Sequence, residues 1–124
     1  MATIANSLIV IVLFSLISHG LCVTCTNKNI QIVTTRSGKV VHGKPEWNVV
    51  VTNTCKCSQA MIKLSCKGFQ TVEPVSSSIL SEIGVDTYQL INGDSLAPGA
   101  FVKFSYAWDS PSSILPADSL SIPC

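Results

Sequence analysis

Cysteine is the residue type in this chain whose number and spacing point most directly to chemistry. Six stand in 124 residues, at Cys22, Cys25, Cys55, Cys57, Cys66 and Cys124. A structural zinc site is the first chemistry to weigh. It fails on ligands, because Cys55-Lys56-Cys57 has one intervening residue where structural zinc pairs usually have two to four. Only His42 remains as a histidine once the apolar leader is set aside. The other chemistry is a disulfide framework, which is how such a set reads in a small exported domain. Six cysteines allow 15 pairings, and spacing does not choose among them. Geometry limits the choice in one place. A ring closed across Lys56 alone would be strained, so Cys55 and Cys57 should each pair elsewhere. Cys124 should take part in a bridge, since it would tie down an otherwise frayed end.

Catalytic constellations are not evident. Nucleophilic catalysis needs a base beside the nucleophile, and His42 sits in the turn-rich stretch Val41-His42-Gly43-Lys44-Pro45, which reads as a solvated loop. Glycoside hydrolysis needs two carboxylates held about 5–9.5 Å apart. The seven acids, Glu46, Glu73, Glu82, Asp86, Asp94, Asp109 and Asp118, are scattered singly. No glycine-rich phosphate cradle follows a strand, and no cofactor or metal is implied. Asn53-Thr54-Cys55 is at best a rare, weak variant of a glycosylation sequon.

The compartment follows from the first residues. Ser7 to Ile17 form an apolar run, too short for a membrane crossing of about 20 residues but matching the central region of a secretory signal peptide. Residues 1–22 read as that leader, with a cut after Gly20 also possible. A cut after Gly20 leaves six cysteines; a cut after Cys22 leaves five, so that at least one thiol is free or pairs between chains. Residues 23–124 then form one exported domain with no membrane span.

The elements that would position these cysteines read as strands. Trp47, Val49 and Val51 share one face of Glu46–Thr52. Ala60, Ile62, Leu64 and Cys66 alternate against Met61, Lys63 and Ser65. Val102, Phe104, Tyr106 and Trp108 share a face opposite Lys103 and Ser105, and Ile30 and Ile32 begin a similar stretch. Period-two alternation of this kind gives each strand one apolar face. Ser37-Gly38, Gly43-Lys44-Pro45, Asn92-Gly93 and Pro98-Gly99 carry turn chemistry. Asn92-Gly93 suits a two-residue hairpin turn, and Ser76 to Ile83 suits a short helix or helical turn. The expected fold is all-β, a small disulfide-stapled β-sandwich with little helix.

Bulk composition narrows the function. Eight basic residues against seven acidic ones, a net charge of +1, give no electrostatic footprint for nucleic acid and no polybasic membrane signal. The near-neutral balance also disfavours an antimicrobial or inhibitor protein. The mean hydropathy of +0.44 owes much to the leader. Trp47, Tyr106 and Trp108 could form a sugar-stacking platform, but they fall in phase with the core-facing positions.

One ordered set of motifs goes further. Val40-Val41-His42-Gly43-Lys44-Pro45-Glu46-Trp47 runs into Val49-Val50-Val51-Thr52-Asn53-Thr54-Cys55-Lys56-Cys57. Ile62-Lys63-Leu64-Ser65-Cys66, Gly68-Phe69-Gln70-Thr71-Val72-Glu73, Leu90-Ile91-Asn92-Gly93, Phe104-Ser105-Tyr106-Ala107-Trp108 and Cys124 follow. Across residues 25–124 this resembles the plant tapetum determinant family of small, secreted, cysteine-rich proteins. Its founding member specifies cell fate in the anther, as a ligand of a leucine-rich-repeat receptor kinase. Two departures stand out. Tyr88 occupies a position where the family usually has a cysteine, so at most two bridges should be the family's own. Cys55 and Cys57 are also closer together than in the founding member.

The resemblance implies a secreted, non-catalytic signalling ligand in plant reproductive development, with a leucine-rich-repeat receptor kinase ectodomain as partner. Candidate contacts are the turn segments Gly43-Lys44-Pro45 and Ser110-Pro111, the latter running on to Pro116, because loops carry function on rigid β scaffolds. The alternative is a cell-wall carbohydrate-binding module, which would need Trp47 and Trp108 exposed.

Overall fold

The structure is a computed structural model, and it describes residues 24–124. The leader and Cys22 lie outside the described residues. Among the described residues seven strands follow one another: β1 (Ile30–Val41), β2 (Lys44–Asn53), β3 (Gln59–Lys67), β4 (Leu80–Gly84), β5 (Thr87–Leu90), β6 (Phe101–Ala107) and β7 (Ser113–Ser121). Among the described residues the helical content is two three-residue 3-10 turns, at Asn27–Asn29 and Ile91–Gly93. Two sheets form, one of three strands in the order β1-β2-β6 and one of four in the order β4-β5-β3-β7. All pairings are antiparallel. The expected all-β, disulfide-stapled architecture is what the chain builds.

Alternation places the core where the apolar positions predict it. Val49 and Val51 of β2, Ile62, Leu64 and Cys66 of β3, and Phe104 and Tyr106 of β6 are all buried. Leu80, Leu90, Leu96 and Ile114 close the same cluster between the sheets. Burying such side chains gives about 1.5–3 kcal/mol each relative to exposure, the main force holding the sheets face to face.

The breaks in the chain differ from the sequence expectation in three places. The β1–β2 hairpin turns on His42-Gly43, with φ of +48° and +80°, and Lys44 and Pro45 already belong to β2. A two-residue turn of this kind needs positive φ at both central positions, and proline, held near −65°, cannot supply it. Ser37-Gly38 is no chain reversal. It lies in a bulge, where the β1–β2 register shifts between Arg36 and Val40. Asn92-Gly93 does not close a hairpin. Ile91, Asn92 and Gly93 all have positive φ, and this left-handed turn starts the passage from β5 in one sheet to β6 in the other. Ser76 to Ile83 takes the helical turn of the two expected forms, not the short helix. Ser76 accepts from the Ile79 and Leu80 amides at 3.0 Å, making a single turn that gives way to β4 at Leu80.

Two strands carried little signal in the sequence. β5 has four residues, too few for alternation to show. β7 contains Pro116, which is tolerated because β7 is the outer strand of its sheet.

Candidate functional site

The two turn segments picked out as contacts meet at one end of the sandwich, although they are distant in sequence. Lys44 Nζ lies 2.9 Å from both carboxylate oxygens of Asp109 and 5.1 Å from the centre of the Trp108 ring. The Trp108 amide donates to Pro45 O at 3.2 Å, and Trp47 Nε1 donates to Trp108 O at 3.1 Å. The start of β2 is thereby fastened to the chain leaving β6. Beyond Asp109, Ser110 and Pro111 are exposed, as is Gly43, while Lys44 and Pro45 are half-buried. The Ser112 amide donates to Tyr106 Oη at 2.7 Å, so a fully buried ring anchors the loop from below. The segment is shorter than expected: Ser113 to Pro116 belong to β7 and do not form a loop.

No aromatic platform faces solvent here. Tyr106 is fully buried. Trp47 and Trp108 pack against the core, and each ring has a cation over it, Arg36 at 5.7 Å from Trp47 and Lys44 over Trp108. A shallow cleft of about 390 Å³ lies on the outer face of the three-stranded sheet, lined by Thr35, Asn48, Val50, Lys103 and Ser105 among others.

His42 is exposed at the hairpin tip. Among the described residues no group of three or more His, Cys, Asp or Glu side chains is placed to hold a metal. One pair of acids does come together, and spacing gave no hint of it. Glu46 is only 8% exposed and its carboxyl meets that of Glu73. The neighbouring Ser37 hydroxyl, then the Glu73 carboxyl, hold the Glu46 carboxyl below its ordinary pKa. Burial, then the neighbouring Glu46, pushes that of Glu73 up.

At the opposite end of β2 the cysteines assemble. Cys25 bonds Cys55 with a Cα–Cα distance of 5.9 Å, and Cys57 bonds Cys124 at 5.6 Å. Cys55 and Cys57 each pair elsewhere, and Cys124 takes part in a bridge, as expected. The loops closed span 30 and 67 residues, for which chain entropy assigns a stabilisation on the order of 3–4 kcal/mol each. Cys66 is a free, buried thiol, and burial pushes its pKa up to about 12. Tyr88, at the position where a cysteine is usual in the family resembled, packs edge-on against Phe69 at 5.5 Å.

Asn53 braces the bridged loop. It is fully buried, and its amide nitrogen donates to Cys57 O and Leu96 O, both at 2.9 Å. Its Oδ1 accepts from the Cys55 amide and from Gln59 Nε2, both at 3.0 Å. Both amide hydrogens are consumed inside the protein, so the weak sequon at Asn53 presents no nitrogen to a glycan. The sequence offered this residue only as a sequon; its bracing role depends on contacts 43 residues away.

Comparison with known proteins bears on the whole described domain. The profile of the family described as "Tapetum determinant 1, C-terminal" matches residues 26–122. The chain belongs to the tapetum determinant 1 family. A curated relative, the TPD1 protein homolog 1 of Arabidopsis thaliana, is 27% identical over 85 residues, covering 67% of this chain and 48% of the relative. This chain thus spans about half the length of the curated relative it matches. No solved structure matches it. Both bridges of this tapetum determinant domain lie at one end, and the Lys44–Asp109 surface lies at the other.

Proposed function

We propose that this protein is a secreted, non-catalytic signalling ligand of plant reproductive development, recognised by the ectodomain of a leucine-rich-repeat receptor kinase. Residues 1–22 would serve as the export signal, cut after Cys22 or Gly20, releasing the domain into the apoplast. Family membership supports the developmental role. The observation that carries the mode of action is the convergence of Gly43-Lys44-Pro45 with Trp108–Pro111 on one rigid surface. A surface already ordered before encounter spends less of its binding energy on ordering. Lys44 and Asp109 would set orientation, and Pro45, Ser110 and Pro111 would supply shape.

The test is a binding screen of the mature protein against a panel of leucine-rich-repeat ectodomains, with Lys44→Glu and Pro111→Ala variants alongside. The reading predicts binding to at least one ectodomain, weakened by both substitutions. Absence of binding across the panel, or binding indifferent to both, argues against it. The second reading, a wall carbohydrate module, finds less support because Trp47 and Trp108 each lie against the core with a cation over the ring.

A further inference from the structure

Glu46 and Glu73 are brought together by three separate pieces of local structure. On β1, the bulge sets Ser37, Gly38 and Lys39 opposite the single residue Glu46 of β2, since Arg36 pairs with Trp47 and Val40 with Pro45. On β6, Ala107 pairs with Glu46. The strap Thr71–Glu73 then covers the free edge of β6 at that residue. The Val72 amide donates to Ala107 O at 3.0 Å, and the Ala107 amide donates to Thr71 Oγ1 at 3.0 Å. Thr71 also folds the strap on itself, donating to Glu73 O at 2.7 Å and accepting from the Glu73 amide at 3.1 Å. The result delivers the Glu73 carboxyl against that of Glu46.

Two ionised carboxylates in contact offer only acceptors to each other and repel. Glu73 Oε2 is buried and receives no hydrogen bond from any donor. A proton on the pair resolves both problems, since a protonated carboxyl is itself a donor. Lys39 of the bulge is the charged group acting on both acids, and the Ser37 hydroxyl lies beside Glu46. Ala107 of β6 contributes no titrating group.

We propose that Glu46 and Glu73 form a proton-holding latch. One proton shared between them clamps the Thr71–Glu73 strap over the end of β6, and loss of that proton in less acidic solution releases the strap. The titration directions agree with this geometry. Glu73 holds its proton to higher pH when folded than when unfolded, so its contribution is complete below the ordinary carboxyl range and lost as pH rises through the folded value. Glu46 is shifted the other way, so its contribution is present above the ordinary range and lost as pH falls through its folded value. The latch is closed between those limits, where the pair holds a single proton.

Amide hydrogen exchange of Val72 and Ala107, corrected for the intrinsic pH dependence of exchange, tests the latch on the mature protein. The wild type should lose protection at both amides as pH rises through the raised folded value of Glu73. Glu73→Gln carries a donor that does not titrate, so it should retain protection over the same range. Constant wild-type protection, or an equal loss in Glu73→Gln, overturns the proposal. Should that variant fail to fold, carbon-13 titration of the wild-type side-chain carboxyls decides. A Glu73 midpoint above the ordinary carboxyl range supports the latch, and a midpoint within it overturns the latch.

Discussion

The Asn53 side-chain amide donates to the Cys57 carbonyl at 2.9 Å, from four residues away. This contact closes the short peptide on which both disulfides depend. The bridges fix Cys55 and Cys57 covalently, but Asn53 fixes the backbone between them.

Asn53→Ala should therefore cost more than a typical buried polar substitution. It removes the partner of the part-buried Cys55 amide and of the fully buried Gln59 Nε2. With about 1–3 kcal/mol for each buried group left unpaired, a loss on the order of 2–4 kcal/mol is expected. Urea unfolding should show a lower midpoint with an unchanged slope.

Replacing Cys57 and Cys124 together with serine should lower stability by about 2–4 kcal/mol. Non-reducing peptide mapping of the wild type should return Cys25–Cys55 and Cys57–Cys124 and leave Cys66 unbridged.

Cys66 should be chemically silent in the native protein. The thiolate is the reactive form, and with its pKa pushed up to about 12 almost none exists near neutral pH. Iodoacetamide should leave it unmodified until denaturant is added. Rapid native labelling would contradict its burial.

Two glycines separate backbone strain from crowding. Gly38 and Gly93 both have positive φ, +89° and +80°, but a Cβ at Gly38 meets open space, whereas at Gly93 it would lie 2.7 Å from Met61 Sδ. Gly38→Ala should cost about 1 kcal/mol, the conformational term alone. Gly93→Ala should cost only slightly more, because the flexible, exposed end of the Met61 side chain must also move aside. Thermal melts of the two variants compare them directly.

Lys44→Ala should change stability by less than about 1 kcal/mol, since its partner Asp109 is largely exposed. A double-mutant cycle with Asp109→Ala measures the pair. A larger coupling would mean that the pair holds the β2–β6 junction rather than merely decorating it.

The legible parts of the fold were those where one face is buried. Val49, Val51, Ile62, Leu64, Phe104 and Tyr106 announce themselves because alternation repeats over seven or more residues in β2, β3 and β6. β5 is too short to alternate, and β7 hides a strand behind Pro116. Turn residues were recognised as turn residues, but their partners decide what they do. Ser37-Gly38 bulges because Glu46 faces it, and Asn92-Gly93 redirects the chain to the other sheet. The candidate site was half legible: Lys44 and Ser110 carry loop chemistry locally, whereas their convergence depends on the β2–β6 pairing. The Glu46–Glu73 contact left no local trace, since the strap that makes it is held by Ala107, 35 residues further along the chain from Val72.

Cys25–Cys55 and Cys57–Cys124 also determine how the domain bears tension. A pull between Thr24 and Cys124 runs from Cys25 through its sulfur bridge to Cys55, across Lys56 to Cys57, and through the second bridge to Cys124. That covalent route is far shorter than the chain it bypasses, so the load never enters the strands. The sheets hang beside the force path as a slack loop, and stretching the domain end to end leaves the Lys44–Asp109 surface undeformed while both bridges remain intact.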